Sequence, residues 1–179
     1  MNAPPERITT RRLVLRMPVP GDAPEIIRAY AADPEVTRYL LFPPDQTTAE
    51  VEAFLRATVE RREQGRAFAW ALTLPGSGAI IGMIDARVDS YMVNVGYVLG
   101  RAYWHAGYAA EALSAVVAWT DAEPEVQRVW AVCCVDNPSS ARVMEKAGLT
   151  REGVLRRWMV FPNLDGTPRD CLCYSRVKT

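Results

Sequence analysis

A chain of 179 residues, 49% hydrophobic and 23% charged, has the make-up of one soluble globular domain. That length buries about two-thirds of the unfolded surface. Its 21 Lys+Arg and 21 Asp+Glu cancel, so no whole-molecule field points to nucleic acid or to a membrane surface.

Residues 11–17 read as a first strand, ended by Pro18 and Pro20. Asp22 opens a helix: Pro24 suits the first turn and Glu25 stands at the capping-box spacing. Ile26, Ile27 and Tyr30 give that helix its apolar face. Asp33-Pro34 repeats the signal for a short second helix through Val36, Tyr39 and Leu40. Thr47-x-x-Glu50 is another capping box, and Val51, Phe54, Leu55, Thr58 and Val59 follow as one helical stripe, with Gly65 at the stop. Residues 68–74 and 79–88 are strands joined by the Pro75-Gly-Ser-Gly78 turn.

Residues 92–99 form the fourth strand. Residues 107–121 follow as a helix with Ala109, Leu113, Val116 and Val117 on its apolar side. The fifth strand, residues 126–135, is nearly continuous in apolar residues, which predicts burial on both faces. Asn137-Pro138 starts a helix that Gly148 stops, and residues 154–161 and 169–177 close the chain as a hairpin around Asp165-Gly166. Antiparallel strands, then strand–helix–strand–helix, then a hairpin predict an α/β (α+β) domain: a mixed sheet with helices on both faces.

No apolar run approaches the roughly 18 residues that span a bilayer. Residues 1–6 lack the basic and apolar parts of a secretory signal, so a cytoplasmic protein is expected. Cys133-Cys134 and Cys171-x-Cys173 lie in strand-like runs and are read as buried, reduced thiols. Adjacent strand residues point to opposite faces, and the one-residue spacing is not that of a zinc site, so no metal is expected.

The chemistry concentrates in residues 95–113, where a strand passes through a small-residue loop into a helix. A helix N-terminus presents free N–H groups and partial positive charge, which makes an anion site. A dinucleotide fingerprint needs Gly-x-Gly-x-x-Gly, whereas the glycines here are Gly100 and Gly107. A triphosphate loop needs Gly-Lys-Ser/Thr, and Gly107 precedes Tyr108.

Three stretches together resemble the GNAT N-acetyltransferases, and within them the RimJ/RimL-like branch that acetylates ribosomal-protein N-termini. They are Val95-Gly96-Tyr97-Val98-Leu99, Tyr103-Trp104-x-x-Gly107-Tyr108-Ala109-x-Glu111-Ala112-Leu113, and the run from Asn137 through Ser140, Glu145 and Gly148 to Arg156. Thr10-x-Arg12-Leu13-x-Leu15-Arg16 and Asp170-x-x-x-Tyr174-Ser175 also fit, so the resemblance covers nearly the whole chain, a single domain over 1–179 with its core at about 8–177.

The resemblance implies a mostly antiparallel sheet of six to seven strands whose fourth and fifth strands splay into a slot for acetyl-CoA. Val98 and Leu99 would pair with the pantetheine arm, and amides around Trp104, His105, Ala106, Gly107, Tyr108 and Ala109 would hold the pyrophosphate. Asn137 would bond the arm as well as cap its helix, and Ser140 would stand near the thiol sulfur as a proton donor. A neutral amine would attack the thioester directly, with a backbone N–H at a bulge in the fourth strand as oxyanion donor. The acceptor would be a protein or peptide N-terminus or a small-molecule amine. The protein would be a monomer or homodimer with no nucleic-acid or membrane partner. The alternative is a non-catalytic acyl-CoA-binding sensor module.

In this branch an acidic residue often stands two positions before the Gly-Tyr pair, and Asn94 stands there. Asp85, Glu111 and Asp170 are the substitutes to consider as base. His105, the only histidine, is read as structural or phosphate-facing.

Overall fold

The expected first strand, residues 11–17, is shortened to Val14–Arg16, and residues 7–9 ahead of it add an unexpected strand that pairs with it. β1 (Arg7–Thr9) pairs antiparallel with β2 (Val14–Arg16), with Ile8 opposite Leu15. Thr10 makes the turn: its N–H donates to the Leu13 carbonyl at 2.9 Å and its hydroxyl oxygen accepts the Leu13 N–H at 3.0 Å. Residues 2–178 are described in this computed structural model; Met1 and Thr179, the ends of the expected domain, lie outside the described residues.

β2 continues through β3 (Ala67–Thr73), β4 (Ile80–Asp89) and β5 (Met92–Leu99), all antiparallel. β5 meets β6 (Arg128–Cys134) in parallel, over Met92–Asn94 against Arg128–Trp130 alone. β6 then pairs with β8 (Pro168–Val177), and β8 with β7 (Thr150–Val160) at the far edge. The described residues thus form a sheet of eight strands, one more than the upper expectation, because residues 7–9, ahead of the expected first strand, pair as a strand of their own.

α1 (Ala23–Ile26) runs into one π turn, Ile27–Ala31; α2 (Pro34–Thr37) and α3 (Thr48–Glu63) follow on the same face. α4 (Tyr108–Ala122) and α5 (Pro138–Lys146) cover the other. Strand alternation sorts the core. Leu72 and Ile84 pack with Leu113, Val116 and Met144, while their neighbours Ala71 and Met83 pack with Ile26, Val51 and Leu55. Each large apolar side chain so buried contributes about 1.5–3 kcal/mol.

Two expectations are corrected. Phe54 leaves the buried stripe of α3 and is 46% exposed, its ring under the Arg61 guanidinium at 5.8 Å. β6 is buried on both faces only at its end: Val129, Ala131 and Cys133 are covered by the α4–α5 side, while on the other face Arg128, Trp130 and Val132 are half-exposed and Cys134 alone is buried, against Phe161 and Cys171. The sheet is covered on both faces at β3, and at β6 one face stays partly open. No helix among the described residues is long and apolar enough to cross a membrane.

Candidate active site

The site begins where β5 and β6 part. Their pairing ends at Asn94 and Trp130, and the strands diverge beyond it. In a strand, a residue's own N–H and C=O point to the same side, and successive residues alternate. Gly100 N–H donates to Ile81 O on β4, and Tyr91 O accepts from Gln127 at the start of β6. Even-numbered residues of β5 therefore face β4, and Val95, Tyr97 and Leu99 turn their polar backbone into the gap. Val98 fits this parity, since its carbonyl lies against Gly82 of β4. Across the gap, Val135 N–H bonds Asp170 O on β8, so Trp130, Val132 and Cys134 turn theirs toward β5. β5 runs in unbroken register with β4, so the expected bulge in this strand is not present. The gap-facing N–H of Tyr97, beyond the end of the β5–β6 pairing, stands in its place.

The mouth of the gap is the loop into α4. A 3₁₀ turn, Arg101–Tyr103, leads to Trp104, whose indole N–H donates to Leu99 O at 2.7 Å and ties the loop to the end of β5. His105 (φ 61°) and Gly107 (φ 82°) are both left-handed, and His105 is exposed. A non-glycine residue in that region stores strain, as residues at ligand sites often do. Gly107 is the N-cap of α4, and no side-chain cap bonds its first turn. The N–H groups of Tyr108, Ala109 and Ala110 are left for a ligand.

Arg12 was not singled out as a site residue from sequence, yet it braces this loop. Its guanidinium donates to Ala106 O at 2.8 Å, lies 4.6 Å over the Tyr108 ring and pairs with Glu111 at 2.7 Å. Glu111 also accepts from the Thr10 hydroxyl at 2.7 Å and the Arg12 N–H at 2.8 Å. Burial works against ionisation there, but these bonds win and hold the Glu111 carboxyl below its ordinary value. Glu111 is a strut, not a base.

The fork carries the other carboxylate. Asp85 on β4 sits opposite Gly96 on β5 and forms two bonds with Arg87, at 2.6 and 3.1 Å. The ion pair lies flat over Gly96: a Cβ there would stand 2.5 Å from Arg87 and 2.8 Å from Asp85. Arg87 also donates to the Asn94 side-chain oxygen at 3.1 Å, and the Asn94 amide donates to Trp130 O at 3.3 Å. The bond to Asp85 raises the Arg87 pKa, so the guanidinium stays charged. Asp170 accepts the N–H of Arg157, a left-handed residue in the β7 bulge, at 2.8 Å. All three candidate bases are thus engaged in structural bonds.

On the β6 side, Asn137 caps α5 by accepting Ser140 N–H at 3.2 Å, and Pro138 fills the first helical position. The Ser140 hydroxyl lies 2.8 Å from the Tyr97 hydroxyl, which also donates to Ser140 O at 2.9 Å. Tyr97 therefore bridges β5 to α5 across the gap. Cys133 stands beside this pair; burial pushes its thiol up to about 12, against the hydrogen bond with Ser140. A thiol held protonated is no nucleophile. All four cysteines are free and buried, and no group of three or more metal-ligating side chains gathers among the described residues. Among the aromatics, Tyr30 and Trp70 are core, and Tyr39 packs edge-on against Phe161.

The profile of the acetyltransferase (GNAT) domain matches residues 12–150. An uncharacterised N-acetyltransferase of Bacillus subtilis, YoaA, is 30% identical over 174 residues, 96% of each chain. The [ribosomal protein uS5]-alanine N-acetyltransferase of Escherichia coli is 27% identical over 180 residues, covering 94% of this chain and 89% of the relative. Among solved structures, the microcin C7 self-immunity acetyltransferase MccE, in complex with acetyl-CoA and AMP, superposes with a TM-score of 0.88. It is 19% identical, and 98% of each chain is covered.

Proposed function

The chain belongs to the GNAT acetyltransferase family, and on that premise we propose that it moves the acetyl group of acetyl-CoA directly to a primary amine bound at the fork of β5 and β6. Acetyl-CoA supplies an activated acetyl thioester. The residues fit it: an N-terminus of α4 without a side-chain cap suits a pyrophosphate, and the gap-facing backbone of Tyr97 and Leu99 suits an amide-bearing arm. The observation that carries the reading is the early end of β5–β6 pairing with that helix N-terminus at its mouth.

In this reading Tyr108, Ala109 and Ala110 hold the anion through their N–H groups, with His105 and Ala106 shaping the loop. The Asn137 amide N–H donates to the arm while its oxygen caps α5. The gap-facing N–H of Tyr97 meets the charge that develops on the thioester oxygen. Ser140 faces the sulfur. The amine's proton leaves through water, because Asp85 is committed to Arg87 and Asn94 cannot accept it.

A protein or peptide N-terminus is the leading acceptor, supported by likeness to the uS5-alanine N-acetyltransferase over nearly the full chain. Small-molecule amines come second. Asn94 favours one further reading, an acyl-CoA sensor. The test pairs calorimetric binding of coenzyme A with thiol release from acetyl-CoA on Ala- and Ser-initiated peptides and a panel of small amines. Binding with turnover is expected. Binding without turnover on any amine makes the protein a sensor, and absence of binding refutes the site.

A further inference from the structure

Ser140 is placed by its partner. Tyr97 carries one hydroxyl proton and has two acceptors within reach, the Ser140 carbonyl at 2.9 Å and the Ser140 hydroxyl oxygen at 2.8 Å. The carbonyl accepts only. While Tyr97 donates to it, the 2.8 Å contact is made by the serine proton, which points at the phenol and away from the gap. When Tyr97 donates instead to the hydroxyl oxygen, the serine proton is free to turn into the gap. Both acceptors belong to one residue at nearly equal distance, so this exchange needs no movement of heavy atoms.

The surroundings keep the phenol a donor. Burial raises the Tyr97 pKa, with Cys133 on β6 and Tyr174 on β8 adding to the effect. Tyr174 is itself occupied, donating to Glu145 on α5 at 2.8 Å. Cys133 stays a neutral thiol.

We propose that Tyr97 is the positioning residue of Ser140, whose hydroxyl proton it directs into the gap to hydrogen-bond the sulfur of bound coenzyme A as that sulfur becomes negative. The inference rests on the seating of coenzyme A given above. As the carbon–sulfur bond breaks, its electron pair goes to sulfur. Ser140 donates a hydrogen bond to the thiolate, and Tyr97 shifts its own bond from Ser140 O to Ser140 Oγ. No proton changes owner in that step, and the thiol later takes its proton from solvent.

The experiment reads the bound thiol itself. Wild type, Tyr97→Phe, Ser140→Ala and the double variant are each saturated with coenzyme A, and the thiolate absorbance is titrated with pH against the ligand-free protein. In wild type the thiol is expected about one unit below its ordinary value, since a bond to the charged form favours it. Tyr97→Phe and Ser140→Ala should each restore the ordinary value, and the double variant should go no further. A wild-type thiol that titrates as in free coenzyme A overturns the proposal, as do unchanged titration in Tyr97→Phe and losses that add in the double variant. Should Tyr97→Phe fold poorly, Ser140→Ala alone decides, because the shift must vanish with that hydroxyl. Calorimetry runs alongside: loss of coenzyme A binding in wild type would refute the seating and not this step.

Discussion

Replacing Gly107 by alanine separates a backbone effect from a binding effect. Gly107 has φ 82°, where an L-residue costs about 1–2 kcal/mol. The new Cβ would stand 3.4 Å from an Arg12 nitrogen, the end of a flexible side chain, so the fold itself loses little more. For a domain of this size that is a fall of about 2–8 °C in Tm. On the proposed seating the added Cβ sits at the N-cap beside the N–H groups that take the pyrophosphate, and losing one charge-assisted bond costs about 1.5–3 kcal/mol, or about 10- to 150-fold in Kd. A protein still folded by several kcal/mol does not acquire such a loss through unfolding. Gly166→Ala is the matched control, since Gly166 has φ 76° and nothing within 4 Å of its added Cβ. Scanning calorimetry should give the two variants similar losses of Tm, and titration with coenzyme A should show weakened binding in Gly107→Ala alone. Equal affinity in both would mean that the pyrophosphate does not sit on this loop.

Three other outcomes follow from the geometry. Arg12→Met keeps the stem but frees the loop at Ala106 and leaves Glu111 with a weaker hold; titration should show coenzyme A binding reduced by about 3- to 10-fold, from the loss of one bracing interaction. With the candidate carboxylates all engaged, the amine must arrive neutral: at pH 7.5 an α-amine is about 200-fold more neutral than a lysine ε-amine. Matched peptides with one or the other amine blocked should differ in rate accordingly, and equal rates would reveal a base at work. Glu152, held at about 2 by bonds from Arg128 and Ser175, contributes stability above its ordinary range of about 4.5 and loses it as pH falls toward 2. At 41% side-chain exposure this amounts to about 1 kcal/mol after screening, so denaturant unfolding of Glu152→Gln should match wild type near pH 2 and fall short near pH 6.

Local signals were legible in the sequence wherever one element carries its own period or cap. Thr47 and Glu50 form the expected capping box, Asn137 and Pro138 open α5, and Gly107 opens α4. What stayed hidden is settled between elements. Arg12 and Glu111 both lay in motifs, but their ion pair joins residues 99 apart in sequence. The parity that turns Leu99 into the gap and Val98 toward β4 depends on strand register, which a run of apolar residues does not encode. The apolar run of β6 suggested cover on both faces; which helices reach it is a matter of packing at a distance. The Thr10 turn had a local cause, a threonine hydroxyl that competes with strand bonding, but the apolar alternation on either side obscured it.

Asn94 gains a physical reason from the fork. Where parallel pairing stops, the Trp130 carbonyl is turned toward β5 with a second lone pair to satisfy beyond its ladder bond. The Asn94 amide donates to it, and the Asn94 oxygen accepts from Arg87, which only donates. One side chain must both donate and accept at this point, so the orientation of the amide is determined and a carboxylate could fill only half the role. Arg87 in turn fixes Asp85 over Gly96. The arrangement that holds the two strands apart therefore consumes the groups that a base would need. In the proposed reading, cofactor-side chemistry then falls to backbone N–H groups and the Tyr97–Ser140 pair, and proton removal to water and to the acceptor's own neutral fraction.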